Sequence, residues 1–176
     1  MRKYQIIVAL ALIVLAVMMR VVPHPANFAP VAAVAIFGGA VLPKRYTLLL
    51  PLAVMVISDS LIGWYSIMPV TWACYVLIAL ASSKWLRGRG FGRGVAMVIG
   101  SSLFFFVVTN FAVWAQGGLY PRTLAGLASC YYMAVPFFRN TALSDLIYSG
   151  LLFGIYALAV KLGAKLFQDQ PEQRIV

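Results

Sequence analysis

Acidic residues are almost absent from this chain. Only four occur among 176 residues, against 14 lysines and arginines. Two of them, Asp169 and Glu172, lie in the polar carboxyl-terminal stretch, so the apolar body of the chain contains only Asp59 and Asp145. A carboxylate within or beside a bilayer costs a few kcal/mol unless it is paired or hydrated. Each of these two acids therefore marks a candidate functional site.

Charge of either sign is scarce. Charged residues make up 10% of the chain, hydrophobic residues 63%, and the mean hydropathy is +0.93. A soluble domain carries about 25% charged residues, and membrane β-strands alternate polar and apolar residues, whereas here the apolar runs are continuous. The sequence predicts an all-α membrane protein with one integral membrane domain over 1–167 and a polar cytoplasmic tail over 168–176.

The net charge of +10 does not indicate a nucleic-acid partner. The basic residues form short clusters between apolar runs, as the positive-inside rule expects of cytoplasmic loops. Placing these clusters inside puts the protein in the bacterial inner membrane with both termini cytoplasmic.

Residues for catalysis and metal binding are also few. There is one histidine, and the two cysteines have no metal-site spacing. The glycines of RGRGFGRG match no nucleotide-binding motif, and neither aspartate lies in the sequence context of an intramembrane aspartyl protease. We therefore expect no enzymatic activity and no bound cofactor. Cys74 and Cys130 suit buried packing, with a soft ligand for a cofactor metal as the alternative for Cys74.

Apolar runs predict six membrane-spanning helices. They cover about 4–22, 31–42, 46–63, 70–86, 94–115 and 143–167. The second run rises only about 18 Å, so we expect a short, tilted or broken helix. The segment 117–143 is apolar but contains Pro121, Pro136 and Arg139; it either spans, which gives seven helices, or forms a short external helix. The charge distribution favours a compact bundle of six spans with that extra short helix.

In this topology the unusual side chains converge on the outer side, which suggests an apolar pocket with a few polar groups. The ligand-binding candidates are Asp59, Asp145, Arg139, Asn110, Trp64, Tyr65, Trp72, Trp114, Tyr131, Asn27 and His24. Tyr132 is a further aromatic candidate. Structural roles stay open for the same residues: an interfacial belt for the aromatics, ion pairs of Arg139 with Asp145 and of Arg20 with Asp59, and helix capping by the asparagines.

Three stretches carry a family resemblance: PHPANFAPVAAVAIFGGA, LPLAVMVISDSLIGWY and LYPRTLAGLASCYYMAVPFFRNTALSDLIYSGLLFG. They resemble a bacterial membrane-protein family often grouped with the substrate-binding (S) components of energy-coupling-factor (ECF) vitamin transporters. That resemblance implies an S-component-like fold, an outward vitamin pocket and an ATP-hydrolysing partner. It also implies a partner-contacting helix with a small-x-x-x-small pattern, which fits Ala29, Ala33, Ala35 and Gly39. A solitary cobalamin-binding group of S components places a cobalt-ligating cysteine near the pocket, where Cys74 would match by location.

The leading functional hypothesis is a substrate-binding membrane subunit for uptake of a small vitamin-like nutrient, with cobalamin or a related cofactor as one candidate. Asp59, Arg139 and Asp145 would then fix polar groups of the ligand. Two alternatives remain. One is a proton-coupled permease in which the aspartates relay protons. The other is a scaffold of a cell-envelope complex, which would need no pocket for a small molecule.

Overall fold

The computed structural model describes residues 2–88 and 90–168, with side chains over 6–88 and 90–161. Every regular secondary-structure element in the described part is a helix. The six helices are α1 (Arg2–Val21), α2 (Val31–Val41), α3 (Lys44–Ile62), α4 (Met68–Trp85), α5 (Phe91–Gln116) and α6 (Leu124–Gln168). Each predicted apolar run corresponds to one of them. The predicted tail lies outside the described residues from position 169 onward.

Within the described residues, three helices are long and apolar enough to cross a membrane: α3, α5 and α6 over Leu124–Lys161. Ile6–Val21 and Val31–Val41 are shorter apolar helical stretches. Many large apolar side chains face outward, such as Ile7, Val14 and Ile155, and lipid is the solvent that accommodates such a surface. These observations indicate a membrane protein. The count of six spans stays a prediction.

The segment before the last span is not a separate external helix, and that prediction was wrong. α6 continues through it as a single helix of 45 residues, about 67 Å long at 1.5 Å per residue. Pro136 lies inside this helix and removes one backbone donor without ending it. The amino-terminal part of α6 packs along α5, where the Tyr131 hydroxyl donates to the Val107 carbonyl oxygen at 2.7 Å. This contact supports the segment as a continuous helix.

The short helix α2 occupies the centre of the bundle, and every residue from Val31 to Gly39 is buried. Its small residues permit a close approach to α4: Ser82 donates to the Ile36 carbonyl oxygen at 2.6 Å. At the carboxyl end of α2, the Arg87 guanidinium donates to the carbonyl oxygens of Gly39 and Leu42. Arg87 thus satisfies carbonyl groups that a helix leaves without partners at its carboxyl end.

The burial of α2 bears on the proposed partner-contacting residues. Ala33, Ala35 and Gly39 are enclosed by the bundle, and Ala29 faces an internal cavity. They form no exposed stripe for another protein. The prediction fails on this point because the small side chains are used for packing within the bundle.

The direction of each helix determines which residues lie at each of the two ends of the bundle. One end, here called the cavity end, contains the carboxyl termini of α1, α3 and α5 with loops 22–30 and 63–67. The opposite end, here called the basic end, contains Lys44, Arg45, Lys84, Arg87, Arg93 and Lys161 among the residues whose side chains are described. The asymmetry seen in the sequence is therefore a property of the folded chain.

Candidate functional site

A cavity of about 360 Å³ lies at the cavity end, and all six helices contribute to its wall. Its size falls within the lower part of the range for small-molecule sites. The lining is mixed, with aromatic rings, three threonines and several other polar groups. Its polar and aromatic members are Arg20, His24, Asn27, Tyr65, Thr71, Tyr75, Phe105, Phe106, Thr109, Asn110, Phe137, Phe138, Thr141 and Asp145.

Asp145 is the acid that reaches the cavity. It is 1% exposed, and its Oδ2 accepts a hydrogen bond from Ser102 Oγ at 2.7 Å. Among the described residues, no cationic side chain forms an ion pair with it. Arg139, the predicted partner on the same helix, is exposed and does not line the cavity. The alternative of an Arg139–Asp145 ion pair is therefore not found in the structure, because six residues of helix turn the two side chains to different faces.

Asp59 is buried behind the cavity wall rather than on it. It is 0% exposed, and Arg20 Nη2 pairs with its Oδ1 at 2.7 Å. Its Oδ2 accepts from Trp72 Nε1 at 2.7 Å and, at the longer distance of 3.4 Å, from the Tyr65 hydroxyl. Both oxygens are therefore occupied by protein donors. Asp59 fixes side chains that line the cavity, and its predicted direct contact with a ligand has no geometric support.

Of the aromatic residues predicted to bind ligand, one lines the cavity and the others do not. Tyr65 lines the cavity, and its partial burial raises the pKa of its hydroxyl above the ordinary value. Trp64 and Tyr132 are 77% and 76% exposed. Trp114 donates to the Pro121 carbonyl oxygen at 3.0 Å. Trp72 donates a hydrogen bond to Asp59, and Tyr131 donates one to α5. These aromatic side chains therefore either hold helices and loops together or face outward.

The rings that do line the cavity come mostly from positions that the sequence did not single out. Tyr75 stacks on Phe105 with 4.9 Å between ring centroids, and Phe106 lies 4.8 Å from Phe138. The signal available in the sequence was the FFF run at 104–106, opposite the FF pair at 137–138 on an adjacent segment. Assigning them to the cavity required the rotation of each helix.

Loop 22–30 covers part of the cavity, to which it contributes His24, Asn27 and Ala29. Asn27 has a φ of 61°, a left-handed conformation that asparagine tolerates better than most residues. The loop is tied to α6 because Asn140 Nδ2 donates to the Ala26 carbonyl oxygen at 2.9 Å. Asn27, His24 and Asn110 are thus three sequence candidates that the structure brings to one cavity.

This tether yields a prediction for loop mobility. Replacing Asn140 with alanine is expected to speed hydrogen exchange of loop 22–30 several-fold, because a hydrogen bond that bridges loop and helix is lost. Hydrogen–deuterium exchange with mass spectrometry measures this. Arg139→Ala at the adjacent position is the control, and equal exchange in both variants would contradict the role of the tether.

Cys74 does not line the cavity. It is 1% exposed on α4, one position before Tyr75, which does line it. Within the described residues, no group of three or more histidine, cysteine or acidic side chains is arranged to hold a metal ion. The metal-ligand hypothesis for Cys74 therefore has no support in the geometry, and the thiol packs as a small apolar group.

Comparisons with known proteins give one match. No curated protein and no solved structure matches the chain. One family model matches residues 1–167, which is nearly the whole chain and covers every helix that forms the cavity. The chain therefore belongs to the family of unknown function DUF6580.

Proposed function

We propose that this protein binds a small molecule in the cavity between its six helices and acts as the binding component of a nutrient-uptake system. The observation that carries the proposal is Asp145. A buried carboxylate with a single hydroxyl donor and no ion-pair partner among the described residues is costly for folding alone. Its position on the wall of a cavity gives that cost a functional reason.

Cavity size narrows the substrate class. A volume of about 360 Å³ suits a compact, vitamin-like molecule. It does not suit a corrin macrocycle held whole inside the bundle, and Cys74 lies off the wall. We therefore propose a small nutrient other than cobalamin as the substrate.

The direction of uptake follows from the charges. The lysines and arginines at the basic end favour a cytoplasmic location for that end. The cavity end would then face outward from the bacterial inner membrane, with both termini in the cytoplasm. Such a binding protein needs an energy source, and an ATP-hydrolysing partner module, as in ECF transporters, is the arrangement we propose. Because α2 is buried, that module would contact lipid-facing helices.

Filling the cavity tests the proposal. Ala134 is buried at 7% exposure and lines the cavity, whereas its neighbour Val135 is exposed on the outer face of α6. We expect Ala134→Trp to abolish ligand binding, because the indole occupies the space, and Val135→Trp to leave it intact. The measurement is native mass spectrometry of protein purified in mild detergent from its own host, read as a co-purifying small-molecule mass.

Each outcome of this experiment decides between functions. Loss of the bound mass only in Ala134→Trp supports the cavity as the site. A bound mass that survives Ala134→Trp in a folded protein places the ligand elsewhere. Wild-type protein that carries no small molecule but co-purifies with envelope-assembly proteins would favour the scaffold. A separate transport assay tests the permease. Uptake into proteoliposomes that is driven by a pH gradient without ATP would favour the proton-coupled permease.

A further inference from the structure

We propose that the ligand of this cavity is a small organic cation with N–H groups, such as a primary ammonium or a protonated heterocyclic amine, bound to Asp145. This inference rests on the proposed function, since it names the chemical class of molecule that the same site accepts. Three independent features of the lining carry it: its charge, the hydrogen-bonding groups that remain available, and its aromatic rings.

The lining is negative when Asp145 is ionised, because its one arginine already has an acidic partner. Arg20 is the only lysine or arginine among the lining residues, and Asp59 directly behind it neutralises its charge at 2.7 Å. When ionised, Asp145 supplies a charge of −1, and no cationic side chain of the described residues forms an ion pair with it. A cationic ligand is the chemistry that cancels this charge inside a low-dielectric site.

Several hydroxyl and amide groups of the lining donate within the protein and present acceptors to a ligand. The hydroxyls of Thr71, Thr109 and Thr141 each donate to the carbonyl oxygen four residues earlier. The Asn110 amide N–H₂ donates in the same way to the Phe106 carbonyl oxygen at 2.8 Å. The three threonine hydroxyls then offer lone pairs on oxygen to a ligand, and the Asn110 amide offers its oxygen together with its second N–H. A ligand with N–H donors matches these acceptors.

Aromatic rings surround the same space. Tyr75, Phe105, Phe106, Phe137 and Phe138 all line the cavity, and four of them form the stacked pair Tyr75–Phe105 and the tilted pair Phe106–Phe138. The faces of such rings attract cations, and this attraction strengthens when the cation is desolvated. A carboxylate in a cavity lined by aromatic rings favours an ammonium over a neutral molecule of equal size.

The test uses the full-length protein in detergent and a panel of small amines, each compared with the alcohol and the carboxylate of the same carbon skeleton. We expect thermal stabilisation by amines and little by their alcohol or carboxylate counterparts. Titration calorimetry should show Asp145→Asn binding the best amine about 10- to 100-fold more weakly, which is the loss of a charge-assisted hydrogen bond. Asparagine keeps an acceptor for Ser102, so the fold is preserved. Arg139→Gln, on the same helix but outside the cavity, should bind as the wild type does.

The outcomes separate this inference from the proposed function. Alcohols or carboxylates that bind as well as their amines, or amine binding unchanged in Asp145→Asn, overturn the cation assignment while leaving a binding cavity. A neutral or anionic molecule identified by native mass spectrometry at the Ala134-sensitive site does the same. If neither the panel nor native mass spectrometry yields any ligand, both the inference and the proposed function fail.

Discussion

Replacing Asp59 with leucine is expected to destabilise the protein by about 3–5 kcal/mol, the usual cost of breaking a buried ion pair from one side. The Arg20 side chain is only 14% exposed, so its cation would lose its partner without gaining full hydration. Trp72 Nε1 would lose the acceptor that it reaches at 2.7 Å. Both losses occur at the junction of α1, α3 and α4, which Asp59 joins.

The same reasoning predicts that removing the whole network is milder than removing one member. In Arg20→Met/Asp59→Leu no buried charge remains, and apolar replacements of buried ion pairs are often neutral. The indole N–H is then still without an acceptor, at a cost of about 1–3 kcal/mol. Adding Trp72→Phe should therefore restore most of the remaining stability. The measurement is unfolding in mixed micelles of SDS and a mild detergent, compared across the single, double and triple variants.

A stability series of this kind separates structural from ligand-binding roles. If Asp59 touched a ligand directly, its replacement would reduce ligand affinity while the unfolding transition stayed near that of the wild type. A leucine variant as stable as the wild type would therefore contradict the role given to Asp59 here. So would a double variant whose loss equals the sum of the two single losses, because coupled partners are non-additive.

Much of the architecture could be predicted from the sequence, because continuous apolar runs and basic clusters are set by local composition. All six helices and the convergence of polar residues at one end fall in this class. The continuity of α6 could not be predicted, since Pro136 and Arg139 in an apolar stretch resemble a break between segments. A proline inside a helix is tolerated where neighbouring packing supports the turn, and that packing comes from α5.

The candidate site shows a similar division. Scarcity alone identified both aspartates, and the sequence also made Arg20 available to Asp59, but scarcity does not tell a paired acid from one that faces a cavity. That difference depends on helix rotation: Asp59 turns toward Arg20 and Trp72, and Asp145 toward Ser102 and the cavity. Tryptophans attract a functional interpretation because they are rare, whereas the lining rings are mostly phenylalanines, which are common in membrane helices.

Replacing Gly39 with alanine is the second change with a large expected effect. An added Cβ at this position overlaps the carbonyl oxygen of Ala79 on α4, a backbone atom that moves only if the helices separate. Overpacking of this kind costs about 1–3 kcal/mol, which exceeds the gain of up to about 1 kcal/mol that alanine brings to a helix. We therefore expect a clear net loss of stability, measured by the same mixed-micelle unfolding.

Two other glycines act as matched controls for that substitution. At Gly38 the added carbon meets the end of the Leu50 side chain, which can rotate away, so the loss should be smaller than at Gly39. At Gly100, on the exposed face of α5, nothing lies within 4 Å of the added carbon. There the alanine should be neutral or stabilising. The order Gly39, Gly38, Gly100 follows from the central position of α2, because a helix enclosed on all sides can yield only by moving its neighbours. Equal effects at the three positions would mean that α2 does not pack against the backbone of α4. The arrangement of helices that forms the cavity would then be different from the one described.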